Sequence, residues 1–202
     1  VGSEMCIRDR LLLEQEATDQ GMDSETKVKL LNASVQQLLD CQAGQSACAG
    51  GDEVDAFLYA MANGGVAAQE DYPYVSGVNQ LSTPCCVSPD PSKPVSCVKP
   101  GLSIEGFDEL PTEDEASLAA FVAESPVSIN INASRQLMQF YSYGVYSGDC
   151  APTTDHGVLA VGYGNEDGRD YYLVKNSWGS SWGDKGFVKI GAQADGPGIC
   201  GI

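Results

Sequence analysis

Asp155-His156-Gly157-Val158-Leu159-Ala160-Val161-Gly162-Tyr163-Gly164 carries the only histidine of the chain, and Asn176-Ser177-Trp178-Gly179-Ser180-Ser181-Trp182-Gly183 begins twenty residues after it. A single imidazole leaves one obvious candidate for general-base chemistry near neutral pH. A carboxamide next to a tryptophan suits it as a partner. The amide can hydrogen-bond one ring nitrogen while the indole shields that bond from water. After His156 the residues turn apolar, and 157–163 reads as a strand; 171–175 and 187–190 follow as further strands, separated by Gly and Asp turns.

Upstream, Val127, Ile129 and Ile131 alternate with polar neighbours after Pro126, the period of a half-buried strand. A helix is expected from Thr112, with Glu115 completing a capping box and Leu118, Phe121 and Val122 turned inward. The first half reads helical. Ser34 and Gln37 form a capping-box pattern ahead of Leu38 and Leu39. Asp52 can cap a second helix with Val54, Phe57, Leu58 and Met61 on one face, stopped at Asn63-Gly64-Gly65. Residues 76–100, rich in Pro, Ser and Cys, read as a surface excursion pinned by disulfides. Helices followed by mostly antiparallel strands make an α+β arrangement.

With 202 residues and 43% hydrophobic content, the chain can bury a substantial core. Its 28 acidic against 11 basic residues give a formal charge of −17, which disfavours nucleic acid and anionic membrane surfaces as partners. No apolar run approaches the roughly 18 residues of a membrane span. Eight cysteines fit an oxidising compartment. A zinc site is disfavoured because no Cys-x-x-Cys pair exists and the sole histidine is remote from any such pair. No metal or organic cofactor is expected.

The His156–Asn176 pairing resembles that of the papain-like cysteine peptidases, in which a nucleophilic Cys is served by a His oriented by an Asn. Further segments carry the same resemblance in the family's order: Ser34-Val35-Gln36-Gln37-Leu38-Leu39-Asp40-Cys41, Cys48-Ala49-Gly50-Gly51, Asp71-Tyr72-Pro73-Tyr74, Pro126-Val127-Ser128-Ile129 and Gly198-Ile199-Cys200-Gly201. It runs from about Leu11 to Ile202. The resemblance implies a two-lobed fold, with a helical N-terminal lobe (11–105), an antiparallel β-barrel-like C-terminal lobe (106–202) and a cleft between them. It implies His156 and Asn176 as catalytic residues, with Trp178 covering their contact and Trp182 flanking the leaving-group side. Gly50 and Gly51 would let an extended peptide pair along the cleft wall. Asn130 would line the main specificity pocket, and Asp155 either meets substrate or serves as a turn residue. Cys150 and Cys200 match a family bridge worth about 4 kcal/mol in the chain-entropy model. Cys41 should pair with Cys85, Cys86 or Cys97.

The family's Cys-Gly-Ser-Cys-Trp nucleophile segment is absent. It should fall within residues 1–10, where Cys6 has neither the preceding Gly-Ser nor the following Trp, and Ser3 lacks the motif that a Ser-for-Cys variant would need. Met5-Cys6-Ile7-Arg8-Asp9-Arg10 resembles translated sequencing-adapter DNA, so residues 1–10 are expected to be a non-native scar on a truncated reading. Cys48 would then lack its family partner. The expected protein is a monomeric, secreted or vacuolar/lysosomal cysteine endopeptidase that hydrolyses polypeptides and meets protein inhibitors of its class. This chain itself is expected to be inactive. The alternative is an inactive papain-fold protein acting in binding or storage. Two sequons occur, at Asn32 and Asn132; the second follows a strand that should be packed, which argues against its use.

Overall fold

The computed structural model describes residues 33–42, 50–76, 84–86, 104–111, 114–134, 136–148, 150–193, 196 and 198–202. The expectations for residues 1–10, Asn32, Cys48, Cys97 and Thr112 lie outside these residues. Two compact units divide between Asp108 and Glu109, against an expected boundary after residue 105. Among the described residues no helix is long and apolar enough to cross a membrane.

In the first unit, helix α1 (Val35–Cys41) starts at a buried Ser34 whose Oγ accepts from Gln37 N at 2.9 Å. The reciprocal half of the capping box is not made. Gln37 turns away: its Oε1 accepts from Ala67 N at 2.6 Å and its Nε2 donates to Tyr59 Oη at 3.1 Å. Ser34 N donates to Ala67 O instead, at 2.8 Å. Gln36 Oε1 accepts from Val75 N and Ser76 N at 2.9 and 3.0 Å, while its Nε2 donates to Ser76 Oγ at 2.7 Å. The reason lies in the segment 66–76, which forms no continuous strand and has isolated bridges at Val66 and Ala68. Its buried N–H groups need acceptors from elsewhere, and the two glutamines supply them.

Helix α2 (Glu53–Ala62) is capped by Asp52, which accepts from Val54 N at 2.8 Å. It stops where expected, with Gly64 and Gly65 at positive φ and Gly65 N donating to Ala60 O at 2.7 Å. The buried face differs from the expected one. Ala56 and Ala60 pack beside Ala33, Leu38 and Val66, whereas Leu58 and Met61 are 50% and 39% exposed. Tyr59 also packs against this cluster and meets Gln37, whereas the expected Leu58 and Met61 do not. Cys41 bonds to Cys85, with their Cα atoms 4.6 Å apart, and Cys86 is itself disulfide-bonded. The three sulfurs lie within 4.8 Å of one another, but oxidised sulfur offers no thiolate set to a metal.

In the second unit, helix α3 (Glu115–Glu124) is capped by Asp114, not through a box closed by Glu115. Asp114 accepts from Ser117 N at 3.0 Å and from Ser117 Oγ at 2.5 Å, which makes it the better cap. Glu115 instead accepts from Gln193 N, with its oxygens 2.9 and 3.2 Å away. Leu118 and Val122 are buried as expected, but Phe121 is 40% exposed. Strands β1 (Val127–Ile131), β2 (Val145–Tyr146), β3 (His156–Glu166), β4 (Arg169–Lys175) and β5 (Phe187–Gly191) form one sheet in the order β1-β3-β4-β5-β2. All pairings are antiparallel except β2–β5; a short helix α4 (Gln136–Gln139) precedes β2. Ile129, Ile131, Val158, Ala160, Tyr172, Val174, Val188 and Ile190 fill the core. A C-terminal 3₁₀ turn (Ile199–Gly201) is tied to the sheet unit by the Cys150–Cys200 disulfide.

Two stability predictions follow from these contacts. Ser34 Oγ also donates to Tyr72 O at 2.7 Å, so Ser34→Ala strips two buried bonds; unfolding free energy should fall by about 2 kcal/mol, read from urea melts. Burial pushes the Glu115 carboxyl above its ordinary value of 4.5, although the Gln193 N–H opposes the shift. A raised carboxyl destabilises the fold only once ionised: the penalty is absent in acid and appears as pH rises through the folded pKa. Glu115→Gln should therefore match the parent near pH 4 and show a higher urea midpoint at pH 7.

Candidate active site

The β3–β4 hairpin brings the start of one strand and the end of the other to the same edge. Its register changes between Ala160 and Gly162, where β3 carries one extra residue, Val161. Past Lys175 the chain leaves the ladder, and Asn176 N donates to Gly186 O at 2.9 Å. Gly186 is at φ 94°, and a Cβ there would press on Gly179 O at 3.4 Å, so a bare backbone lets the 176–186 loop fold back.

His156 Nε2 and Asn176 Oδ1 are then 2.9 Å apart, in residues only 6% and 8% exposed. Ser177 N donates to the same Oδ1 at 2.7 Å. A backbone N–H can only donate, so the amide atom it meets must be the oxygen. Because that oxygen accepts, the Nε2 facing it carries the proton, and the neutral ring keeps its lone pair on Nδ1. Among the described residues Nδ1 has no hydrogen-bond partner. The arrangement can take up a proton at Nδ1 while Asn176 holds the ring by its other nitrogen.

Trp178 lies tilted over the imidazole with ring centroids 5.2 Å apart, and Trp182 meets Trp178 edge-on at 5.0 Å. Trp182 Nε1 donates to Gln139 O at 3.1 Å, whereas the buried Trp178 Nε1 has no acceptor among the described residues. Trp178 thus acts on the pair through its ring face. Asp155 has a carboxylate already engaged: Oδ1 accepts from Ala133 N at 2.8 Å. That bond ties Asp155 to the residues just past the end of β1. Asn130 pairs with Gly157, and its neighbour Ile131 with His156, so Asn130 is on the opposite sheet face from the imidazole. Gly50, at φ 130°, and Gly51 lie in the first unit just before α2.

One residue of this neighbourhood escaped the sequence reading. Asn132, 5% exposed, donates its N–H to Cys200 O at 2.8 Å and its Nδ2 to Thr153 O at 2.7 Å. Its sequon marked it only as a possible sugar acceptor. In the fold it is a polar tether with no room for one.

A family model described as papain family cysteine protease matches residues 15–202. The probable cysteine protease RDL2 of Arabidopsis thaliana is 40% identical over 186 residues, covering 91% of this chain and 49% of that protein. The cysteine endopeptidase RepA of Oryza sativa subsp. japonica is 37% identical over 190 residues, covering 92% and 47%. The chain therefore spans about half the length of the curated relatives it matches. The structure of the bromelain protease from Ananas comosus in complex with the E64 inhibitor superposes with a TM-score of 0.79 at 30% identity, covering 100% of this chain and 85% of that one.

The sole imidazole makes its proton directly observable. Long-range ¹⁵N–¹H spectra at high pH should show the Nε2–H form, and Asn176→Ala should bring in the Nδ1–H form. A dominant Nδ1–H ring in the parent would contradict the assignment.

Proposed function

Since this chain belongs to the papain family of cysteine proteases, we propose that His156 and Asn176 are the proton-transfer half of a thiol-dependent endopeptidase. The observation that carries the proposal is the convergence of His156 Nε2 and Ser177 N on Asn176 Oδ1, which leaves Nδ1 as the basic nitrogen. A cysteine thiol presented to Nδ1 passes its proton to the ring, and the thiolate attacks the scissile carbonyl. The imidazolium then protonates the leaving amine, and the same ring draws a proton from the water that cleaves the acyl-enzyme. Asn176 keeps the ring in plane throughout, and Trp178 keeps water from the bond between them.

Polypeptides are the proposed substrates, with Gly50 and Gly51 pairing along the peptide backbone, Trp182 on the leaving-group side and Asp155 at the edge. Asn130 in place of an apolar residue is proposed to give a polar or basic preference at the main pocket. The proposed lobes are 11–105 and 106–202. Disulfides at Cys41–Cys85 and Cys150–Cys200 fit a secreted or vacuolar/lysosomal protein. Protein inhibitors of cysteine peptidases are the proposed regulatory partners.

The 202 residues contain no Cys-Gly-Ser-Cys-Trp segment, so the chain as it stands is proposed to be inactive. The same observation favours the second reading, a papain-fold protein retained for binding or storage. Replacing residues 1–10 with the gene's own upstream coding sequence separates the two. The first reading expects thiol-activated, E-64-sensitive hydrolysis that His156→Ala lowers by about 10²–10⁴-fold in kcat/KM. Activity untouched by His156→Ala would refute it, and thiol-dependent cleavage by the 202-residue chain alone would refute the claim of inactivity.

A further inference from the structure

We propose that the C-terminal turn, through Gly201, is a positioning element for the His156 imidazole. The proposal rests on the reading above for its catalytic meaning, but its physical content concerns only where the ring is held. His156 is the first residue of β3, and Ile131↔His156 is the last pair of the β1–β3 ladder. No sheet pairing orders the backbone before it. The direction in which the ring enters the site is therefore set by residues 152–155.

That approach is gripped from two sides. On the β1 side, Asp155 N donates to Ile131 O at 3.0 Å, Ala133 N donates to Asp155 Oδ1 at 2.8 Å, and Asn132 Nδ2 donates to Thr153 O at 2.7 Å. On the other side is Gly201, at φ 81°. A Cβ on Gly201 would collide with the carbonyl oxygen of Pro152 and come within 2.9 Å of Thr154 Cγ2. The first of these is backbone and cannot swing aside. Gly201 thus lies directly against the segment that delivers His156, and only a bare α-carbon allows the approach.

The turn is itself anchored, so it can bear on its neighbour. Cys200 is bonded to Cys150 at the other end of the same approach, and Cys200 O accepts from Asn132 N at 2.8 Å. Asn132 consequently holds both sides: its backbone grips the turn while its side chain grips Thr153. Hydrogen bonds with Asn132, Ala133 and Ile131, and the close approach of Gly201, all bear on residues 152–155 rather than on the imidazole. They act through the backbone that carries it.

Gly201→Ala and Asn132→Ala in the 202-residue chain test this, with Ile190→Ala as the control for a core lesion outside the approach; Ile190 is fully buried and pairs with Tyr172. The readout is the His156 ring itself, through its ¹⁵N tautomer pattern and the ring-current shifts imposed by Trp178. Both test variants should lose the single Nε2–H state and move the ring protons away from their parental positions, while Ile190→Ala lowers the melting temperature and leaves both signatures in place. If Gly201→Ala does not fold, Asn132→Ala decides alone. Parental His156 signals in a folded Asn132→Ala or Gly201→Ala chain, or an equal disturbance in Ile190→Ala, would overturn the proposal. None of these outcomes depends on peptide hydrolysis, so they stand or fall apart from the proposed activity.

Discussion

The extra residue in β3 governs the second unit. In an antiparallel pair, shifting the register by one residue turns every side chain beyond it to the other face. The shift between Ala160 and Gly162 sets Ala160 opposite Val174 and Leu159 opposite Lys175. Continued past Lys175, that register delivers Asn176 to the end of the hairpin where His156 begins. The same parity sends Val158 and Ala160 into the core with Ile129 and Val174. A regular hairpin would have had to give up either the apolar face or the His–Asn contact.

Buried carboxamides recur wherever this fold needs polar groups inside. Gln36 and Gln37 accept from the backbone N–H groups of Ala67, Val75 and Ser76, Asn132 joins the C-terminal turn to Thr153, and Asn176 joins Ser177 to the imidazole. An amide offers donors and an acceptor in one neutral group. Its burial costs far less than that of a carboxylate. In a chain of net charge −17, interior acids would also add to self-repulsion. Among the described residues no acid is fully buried: they serve as caps, such as Asp52 and Asp114, or pair as Glu166 does with Lys189, with N and O 2.6 Å apart.

What could be read in the residues was whatever depends on spacing. Alternation in 127–131 and the apolar runs after His156 and Tyr171 gave strands, and a short polar side chain before an apolar run gave the Asp52 cap. The His156, Asn176 and Trp178 cluster was legible from a lone histidine, an amide beside a tryptophan and the family pattern that they resemble. Choices settled by tertiary contact were not legible. Leu58, Met61 and Phe121 have the right period for burial, yet α2 buries Ala56 and Ala60 instead and α3 turns Phe121 outward. Strand β2 has only two residues, too few to show any period. The choice of Cys85 for Cys41 belongs to three-dimensional proximity, which cysteine counts do not contain.

Asn132 occupies the acceptor position of a glycosylation signal and is also buried under the approach to His156. In a secretory cell, oligosaccharide transfer acts on nascent polypeptide before folding is complete. Burial of this asparagine and arrival of the sugar are therefore competing events. A molecule modified first could not make the bond from Asn132 to Thr153, and would carry a carbohydrate wedge against the approach to His156. Fast closure of the β1–β3 edge is in this sense a condition for making homogeneous protein.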